Sequence, residues 1–290
     1  MEYSEFIESK KPTFISNGIA IKDIEINSQM FLYQKDFTRW ALAKGKAAVF
    51  AGTGLGKTFV ELEWGKQVHE NTGMDVLILA YLSIAEQTVR EGIKFGIDVT
   101  LCREQSDIKP GINITNYELL HKFDLTKFGG VILDESSILK SFTGKIKTAL
   151  IEGCRNIPYK LACTATPAPN DHMELCNHAE FLGVMTRAEM LAMFFVHDGG
   201  ETSKWRIKGH AVESFWVWVA NWAVMMQKPS NLGYEDDGFD LPPLNIHQIT
   251  VDVKDSMFDG EALTLSDRQQ ARRESINERV TACFEVIING

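Results

Sequence analysis

The sequence predicts an α/β fold: a parallel sheet with helices on both faces, followed by a mainly helical accessory segment. Three observations predict it. Short apolar runs rich in β-branched residues recur at 47–51, 76–80, 99–102, 112–115, 131–134 and 159–164. Most are continuous rather than alternating, as strands buried on both faces are. Between them lie stretches long enough for crossover helices, such as 58–70, 84–95 and 142–153, and strand–helix alternation of this kind builds a parallel sheet.

The later chain reads differently. Residues 171–229 look mainly helical, 231–243 read as a loop through Gly233, Gly238, Pro242 and Pro243, strand-like residues return at 246–253, and 262–288 suit a helix. No internal repeat or low-complexity tract interrupts the pattern.

With 290 residues the chain suits one large domain, or one plus part of a second, at roughly 100–200 residues per domain. A hydrophobic fraction of 44% supports a sizeable core and excludes a disordered chain. The absence of any run of about 18 apolar residues excludes a membrane-spanning helix. The acidic start Met1-Glu2-Tyr3-Ser4-Glu5 argues against a secretory signal. Cys102, Cys154, Cys163, Cys176 and Cys283 form no Cys-x-x-Cys pair, so neither a zinc ribbon nor a disulfide framework is indicated. A reducing cytoplasm is the expected compartment. The net charge of −9 is uneven: residues 1–170 carry 20 basic and 20 acidic side chains, residues 171–290 carry 10 and 19. A local basic groove in the first part remains compatible with that balance.

The strongest motif is Ala51-Gly52-Thr53-Gly54-Leu55-Gly56-Lys57-Thr58, between an apolar strand and a helical stretch. Glycines let successive backbone N–H groups face phosphate oxygens, and the helix N-terminus adds its positive dipole. Lys57 can reach β- and γ-phosphates, and the Thr58 hydroxyl suits Mg²⁺. Ala51 stands where the general pattern has Gly. Further on, Val131-Ile132-Leu133 ends in Asp134-Glu135-Ser136-Ser137, 77 residues past Lys57. Asp134 can hold Mg²⁺ through its water shell and Glu135 can activate a water. A third apolar run ends in Thr164-Ala165-Thr166-Pro167.

These three segments resemble motifs I, II and III of superfamily-two helicases, nearest the Swi/Snf-like and phage-type DEAD/DEAH-box branch. Residues 77–82 resemble motif Ia, 114–118 resemble motif Ib, and Leu32-Tyr33-Gln34 resembles the segment that reads adenine. The resemblance covers about residues 30–183. It implies a RecA-like P-loop NTPase lobe with ATP and Mg²⁺ as cofactors. Asp134 would be the Mg²⁺-linked acid, Glu135 the base, and Thr164 and Thr166 the residues coupling nucleotide state to a nucleic-acid track. It divides the chain into a lead-in (1–33), lobe one (34–183), a helical accessory segment and linker (184–250), and the incomplete start of a second lobe (251–290). Two departures stand out. Ser137 occupies a position often held by His or Asp, and motifs IV to VI with their arginine finger are absent; Arg268, Arg272, Arg273 and Arg279 do not form the pattern.

The implied activity is ATP hydrolysis driving a nucleic-acid motor, with DNA ahead of RNA and no membrane partner. A second RecA-like lobe, in cis or from a partner subunit, would complete it. The compartment would be a host's cytoplasm were the chain phage-encoded. An RNA helicase and a nucleotide-binding regulatory module without translocation are the alternatives.

Other features read as structural or as weaker candidates. The stripe Val212, Phe215, Trp216, Val219, Trp222, Ala223, Met226 follows helical spacing and suits a buried face. Trp205-Arg206-Ile207-Lys208 could follow a single strand, although an exposed basic turn explains it as well. Lys140, Lys145, Lys147, Arg155 and Lys160 make either a solvated helix face or a phosphate-contacting surface. Residues 235–238 read as an acidic loop, and His172, His178, Met185, Met190 and Met193 as structural.

Overall fold

The computed structural model describes residues 16–20, 25–140, 144–168, 171–198, 201–239, 246, 248–251 and 264–289. The chain divides into two compact units, 1–240 and 241–290. In the first, seven parallel strands form one sheet in the order β3-β4-β2-β5-β6-β1-β9. They are β1 (Lys46–Ala51), β2 (Val76–Ala80), β3 (Val99–Leu101), β4 (Ile112–Asn116), β5 (Gly130–Leu133), β6 (Tyr159–Cys163) and β9 (Ala223–Met226). The helices are α1 (Leu32–Lys44), α2 (Lys57–Thr72), α3 (Leu82–Phe95), α4 (Lys145–Gly153), α5 (Leu175–Leu182), α6 (Arg187–Phe194) and α7 (Val212–Ala220).

Alternation along each strand sorts the core into two layers. Ala47, Val49, Ile78, Ile114, Ile132 and Leu161 face one side, against Phe37 and Leu42 of α1 and Leu62, Trp64 and Val68 of α2. Ala48, Phe50, Leu77, Leu79, Val131, Leu133 and Ala162 face the other, against Leu150 of α4, Phe181 of α5 and Phe215, Trp218 and Trp222 near α7. The expected helices on both faces are present.

The six expected strands are found within one or two residues of their anticipated bounds. The segment 171–229 is mainly helical as expected, but it also carries strands that the sequence reading lacked. It contains an antiparallel hairpin, β7 (Phe195–Asp198) and β8 (Glu201–Ile207), and it supplies β9 to the sheet edge beside β1. Within residues 184–250, expected as a helical accessory segment and linker, Ala223–Met226 thus adds the seventh strand to the sheet. The aromatic stripe is core only in part: Phe215, Val219, Trp222, Ala223 and Met226 are buried, whereas Val212 and Trp216 are exposed, the helix ends at Ala220 and Met226 lies on β9. Residues 248–251 form no strand, and 252–253 lie outside the described residues.

The second unit contains α8 (Leu265–Glu274) and α9 (Ile276–Asn289), divided at Ser275 where one helix was expected. No helix among the described residues is long and apolar enough to cross a membrane.

Candidate nucleotide site

Parallel pairing brings the ends of β5, β6 and β1 to one edge of the sheet, in that order. The Gly-rich loop follows β1, the acidic pair follows β5, and Thr164 follows β6 between them. Three segments far apart in sequence meet because three neighbouring strands end there.

Ala51 is the last residue of β1, buried and paired with Met226. It is not among the residues with positive φ, so a methyl group is tolerated where the general pattern has glycine. Gly52 cannot change: its N–H donates to Met226 O at 2.8 Å, and a Cβ would lie 2.7 Å from Gln227 O. Gly56, at φ 68°, is the left-handed N-cap of α2, and a Cβ there would clash with Gln34 Nε2. No side chain caps α2, so the dipole's positive end and the first-turn N–H groups face the loop. Thr53 and Gly54 are exposed on the loop's rim, while Leu55 is buried beneath it. Lys57 Nζ donates to Ala51 O (3.0 Å) and Gly52 O (3.2 Å), holding its charge over the loop.

Gln34 lies against this loop. Its Nε2 donates to Leu55 O (3.2 Å) and Gly56 O (3.5 Å), and its Oε1 accepts from Phe31 N–H (3.0 Å). Tyr33, which the sequence did not single out as a site residue, donates its hydroxyl to Leu55 O at 3.0 Å. Burial pushes that phenol up to about 12. Phe31, Phe37, Tyr234 and Phe239 surround its ring, and Tyr234 is tied to α1 through Asp36 at 2.7 Å.

Asp134 continues β5 by donating its N–H to Leu79 O at 2.9 Å, while its carbonyl accepts from the Tyr117 hydroxyl at 2.7 Å. Burial raises the Asp134 carboxyl to about 6, and the Glu135 charge adds to this against the opposing charge of Lys57. Glu61, one turn along α2 from Lys57, is fully buried; burial first and the Asp134 charge second push its carboxyl well above the usual range. Glu135 has φ 53°, the only positive φ of a non-glycine among the described residues.

Thr164 joins the two acidic and hydroxyl segments. Fully buried, its Oγ1 donates to Glu135 Oε2 at 3.0 Å and accepts from Thr166 N–H at 3.1 Å. Thr166 itself is exposed. The link does not pass through Ser137.

The donor set fits a Mg²⁺–triphosphate. It offers a cation, an uncapped helix start, a hydroxyl at Thr58 and a carboxylate at Asp134. Among the described residues no group of three or more His, Cys, Asp or Glu is assembled for a metal, and Mg²⁺ beside phosphates needs only one or two carboxylates.

The weaker candidates fare differently. Lys160 is buried inside the fold, donating to Phe181 O at 2.8 Å, and Lys147 is buried too, so the basic stretch does not form one phosphate-contacting surface. Lys208 donates to Ala192 O (2.7 Å) and Met193 O (3.1 Å) at the end of α6, and Trp205 packs against His197 with the rings tilted by 37° and their centroids 3.7 Å apart. His178 and Met190 are buried as expected, whereas Met193 is exposed.

No protein-family model matches the sequence, and no curated protein matches it. Solved structures do share the fold. The SWI2/SNF2 ATPase core of Sulfolobus solfataricus in complex with dsDNA superposes with a TM-score of 0.61 at 19% identity, covering 75% of this chain and 48% of that one. A second structure, the Sulfolobus solfataricus SWI2/SNF2 ATPase core domain, gives 0.58 at 18% identity, over 76% and 48%. The UvsW helicase of bacteriophage T4 is more distant, at 0.46 and 15% identity over 64% and 66%. The chain therefore shares the fold of the Sulfolobus SWI2/SNF2 ATPase core and spans about half the length of the structures it matches.

Proposed function

We propose that this chain binds Mg²⁺-ATP and hydrolyses it as the first RecA-like lobe of an ATP-dependent DNA helicase or translocase. The observation that carries the reading is the convergence at one sheet edge of the Lys57 loop, the Asp134-Glu135 pair and Thr164, with Thr164 hydrogen-bonded to Glu135 at 3.0 Å.

In this reading the backbone N–H groups of 52–58 hold phosphate oxygens, and Lys57 exchanges its two carbonyl partners for the β- and γ-phosphates. Thr58 and Asp134 hold Mg²⁺, which when bound neutralises charge on the phosphate oxygens. Asp134 must be ionised for this, and the nearby Lys57 charge favours that form. Glu135 orients the attacking water and accepts its proton. Thr164 fixes the Glu135 carboxylate, and Thr166, bonded to Thr164 through its backbone, passes nucleotide state outward. Gln34 keeps spare acceptor capacity on Oε1, and its Nε2 exchanges the longer contact to Gly56 O for the adenine edge.

The Sulfolobus core's dsDNA makes duplex DNA the first track to test. A second RecA-like lobe, in cis or from a partner subunit, supplies the missing arginine, and a cytoplasmic location suits both ATP and DNA. Glu135→Gln is the direct experiment. It should bind ATP with wild-type affinity and lose single-turnover hydrolysis, because the shape survives while the base does not. Hydrolysis at the wild-type rate would assign water activation to another residue.

A further inference from the structure

The Glu135 backbone is held in a conformation it would not adopt unaided. A left-handed φ crowds the Cβ of any residue but glycine against the following carbonyl, so the flanking chain must impose it. Upstream, the Tyr117 hydroxyl fixes Asp134 O. Downstream, the chain turns into a short 3₁₀ segment, Ser136–Lys140, and two consecutive residues of α5 grip both of its ends. Asn177 Nδ2 donates to Leu139 O at 2.7 Å and reaches Lys140 O at 3.4 Å. His178 Nε2 lies 3.1 Å from Ser136 Oγ, and its Nδ1 lies 3.5 Å from Glu174 O. A carbonyl can only accept, so a neutral ring meets both contacts with its proton on Nδ1 and the Ser136 hydroxyl donating to Nε2. The Phe50 ring packs edge-on against the imidazole at 5.1 Å, and Ser136, Leu139, Asn177 and His178 are all buried.

We propose that Asn177 and His178 are positioning residues that clamp segment 136–140 from α5 and so hold Glu135 in its left-handed backbone with its carboxylate on Thr164. The inference rests on Glu135 being the base. It gives α5 a part in the chemistry although no residue of α5 reaches the nucleotide loop's motif. The position after Glu135 is therefore occupied by a hydroxyl because a histidine from another element binds it.

The test uses the whole 290-residue chain, with ATP affinity by fluorescent-ATP titration and hydrolysis by single turnover with protein in excess. Ser136→Ala removes one hydroxyl and is the mild variant should His178→Ala not fold. Each should lower the rate, by up to about 100-fold for a displaced catalytic group, with ATP affinity unchanged. The double variant should be no worse than His178→Ala, and His178→Gln, whose Oε1 can accept from Ser136, should recover most of the rate. Wild-type rates in Ser136→Ala and His178→Ala alongside an inactive Glu135→Gln would overturn the clamp and leave the base standing. An active Glu135→Gln would overturn both. Parallel loss of affinity and rate in Ser136→Ala would reduce the contact to general folding and overturn the positioning role.

Discussion

Replacing Thr164 by valine keeps the outline of a fully buried side chain and deletes one hydroxyl. That hydroxyl makes two bonds, to Glu135 Oε2 at 3.0 Å and from Thr166 N–H at 3.1 Å. A hydrogen bond to a charged group is worth about 1.5–3 kcal/mol and a neutral one about 0.5–1.5 kcal/mol. Glu135 is partly exposed and can recover water, which places the stability loss near about 1–3 kcal/mol. The chemistry should suffer separately, since a carboxylate freed from Thr164 no longer points in one direction. If half to all of the charged bond is used in the transition state, the rate falls by about 10–100-fold at 1.36 kcal/mol per decade. ATP affinity should hold, because the hydrogen bonds of the Thr164 side chain go to Glu135 and Thr166 and not to the Lys57 loop. Urea unfolding, ATP titration and single-turnover hydrolysis read the three quantities independently. Unchanged stability together with an unchanged rate would refute the argument that Thr164 orients Glu135.

Lys57→Ala should weaken ATP binding by about 1.5–3 kcal/mol through loss of a charge-assisted contact; equal affinity by calorimetry would overturn the phosphate-loop assignment. The 290-residue chain should bind ATP yet turn it over very slowly with or without duplex DNA, because an arginine finger is worth about 10³–10⁵ in rate and no such motif is present. Strong DNA-stimulated steady-state turnover would place a catalytic arginine within these residues or in a neighbouring subunit. Burial holds the His178 imidazole at about 4 against an ordinary 6.5. Between those pH values only the unfolded chain takes up the proton, so stability should fall as pH drops from 6.5 to 4, by up to about 3 kcal/mol. Urea melts of His178→Gln should show a flatter slope across that window, and an unchanged slope would mean that the ring titrates normally.

The strands that carry the motifs were legible because a strand buried on both faces must be continuously apolar, as Val76–Ala80 and Gly130–Leu133 are. β9 was not legible. Its Ala-Val-Met-Met continues the helical spacing that starts at Val212, and four residues cannot establish a period of their own. The hairpin β7–β8 had one available signal, the Gly199-Gly200 dipeptide between two runs. The site divides the same way. In the proposed site Gly52, Gly54, Gly56, Lys57, Thr58, Asp134, Glu135 and Thr164 would act through residue types that the chemistry requires, so a motif betrays them. Met226 and Gln227 shape the loop through backbone carbonyls, which any residue provides. Asn177 and His178 reach segment 136–140 from about 40 residues away, a contact that only the fold creates.

The sheet extends well beyond residue 183, where the motif resemblance stops. β9 pairs with β1 along Ala48–Ala51, and its last residue accepts the Gly52 N–H that opens the phosphate loop. Phe194, Phe215, Trp218, Val219 and Trp222 fill the layer behind β1. Removing those five side chains forfeits at least about 7 kcal/mol at roughly 1.5 kcal/mol each, comparable to the whole stability of a typical domain, about 5–15 kcal/mol. It would also leave β1 as a bare, apolar edge. A chain ended at residue 183 should therefore fail to fold and fail to bind ATP, although it contains every recognisable motif. A chain ended at residue 240 should unfold cooperatively and bind ATP as the full chain does. Cooperative urea melts and fluorescent-ATP titrations of the two truncations decide the matter. A 183-residue chain that melts cooperatively and binds ATP with full affinity would show that β9 and the helices around it decorate the lobe rather than complete it.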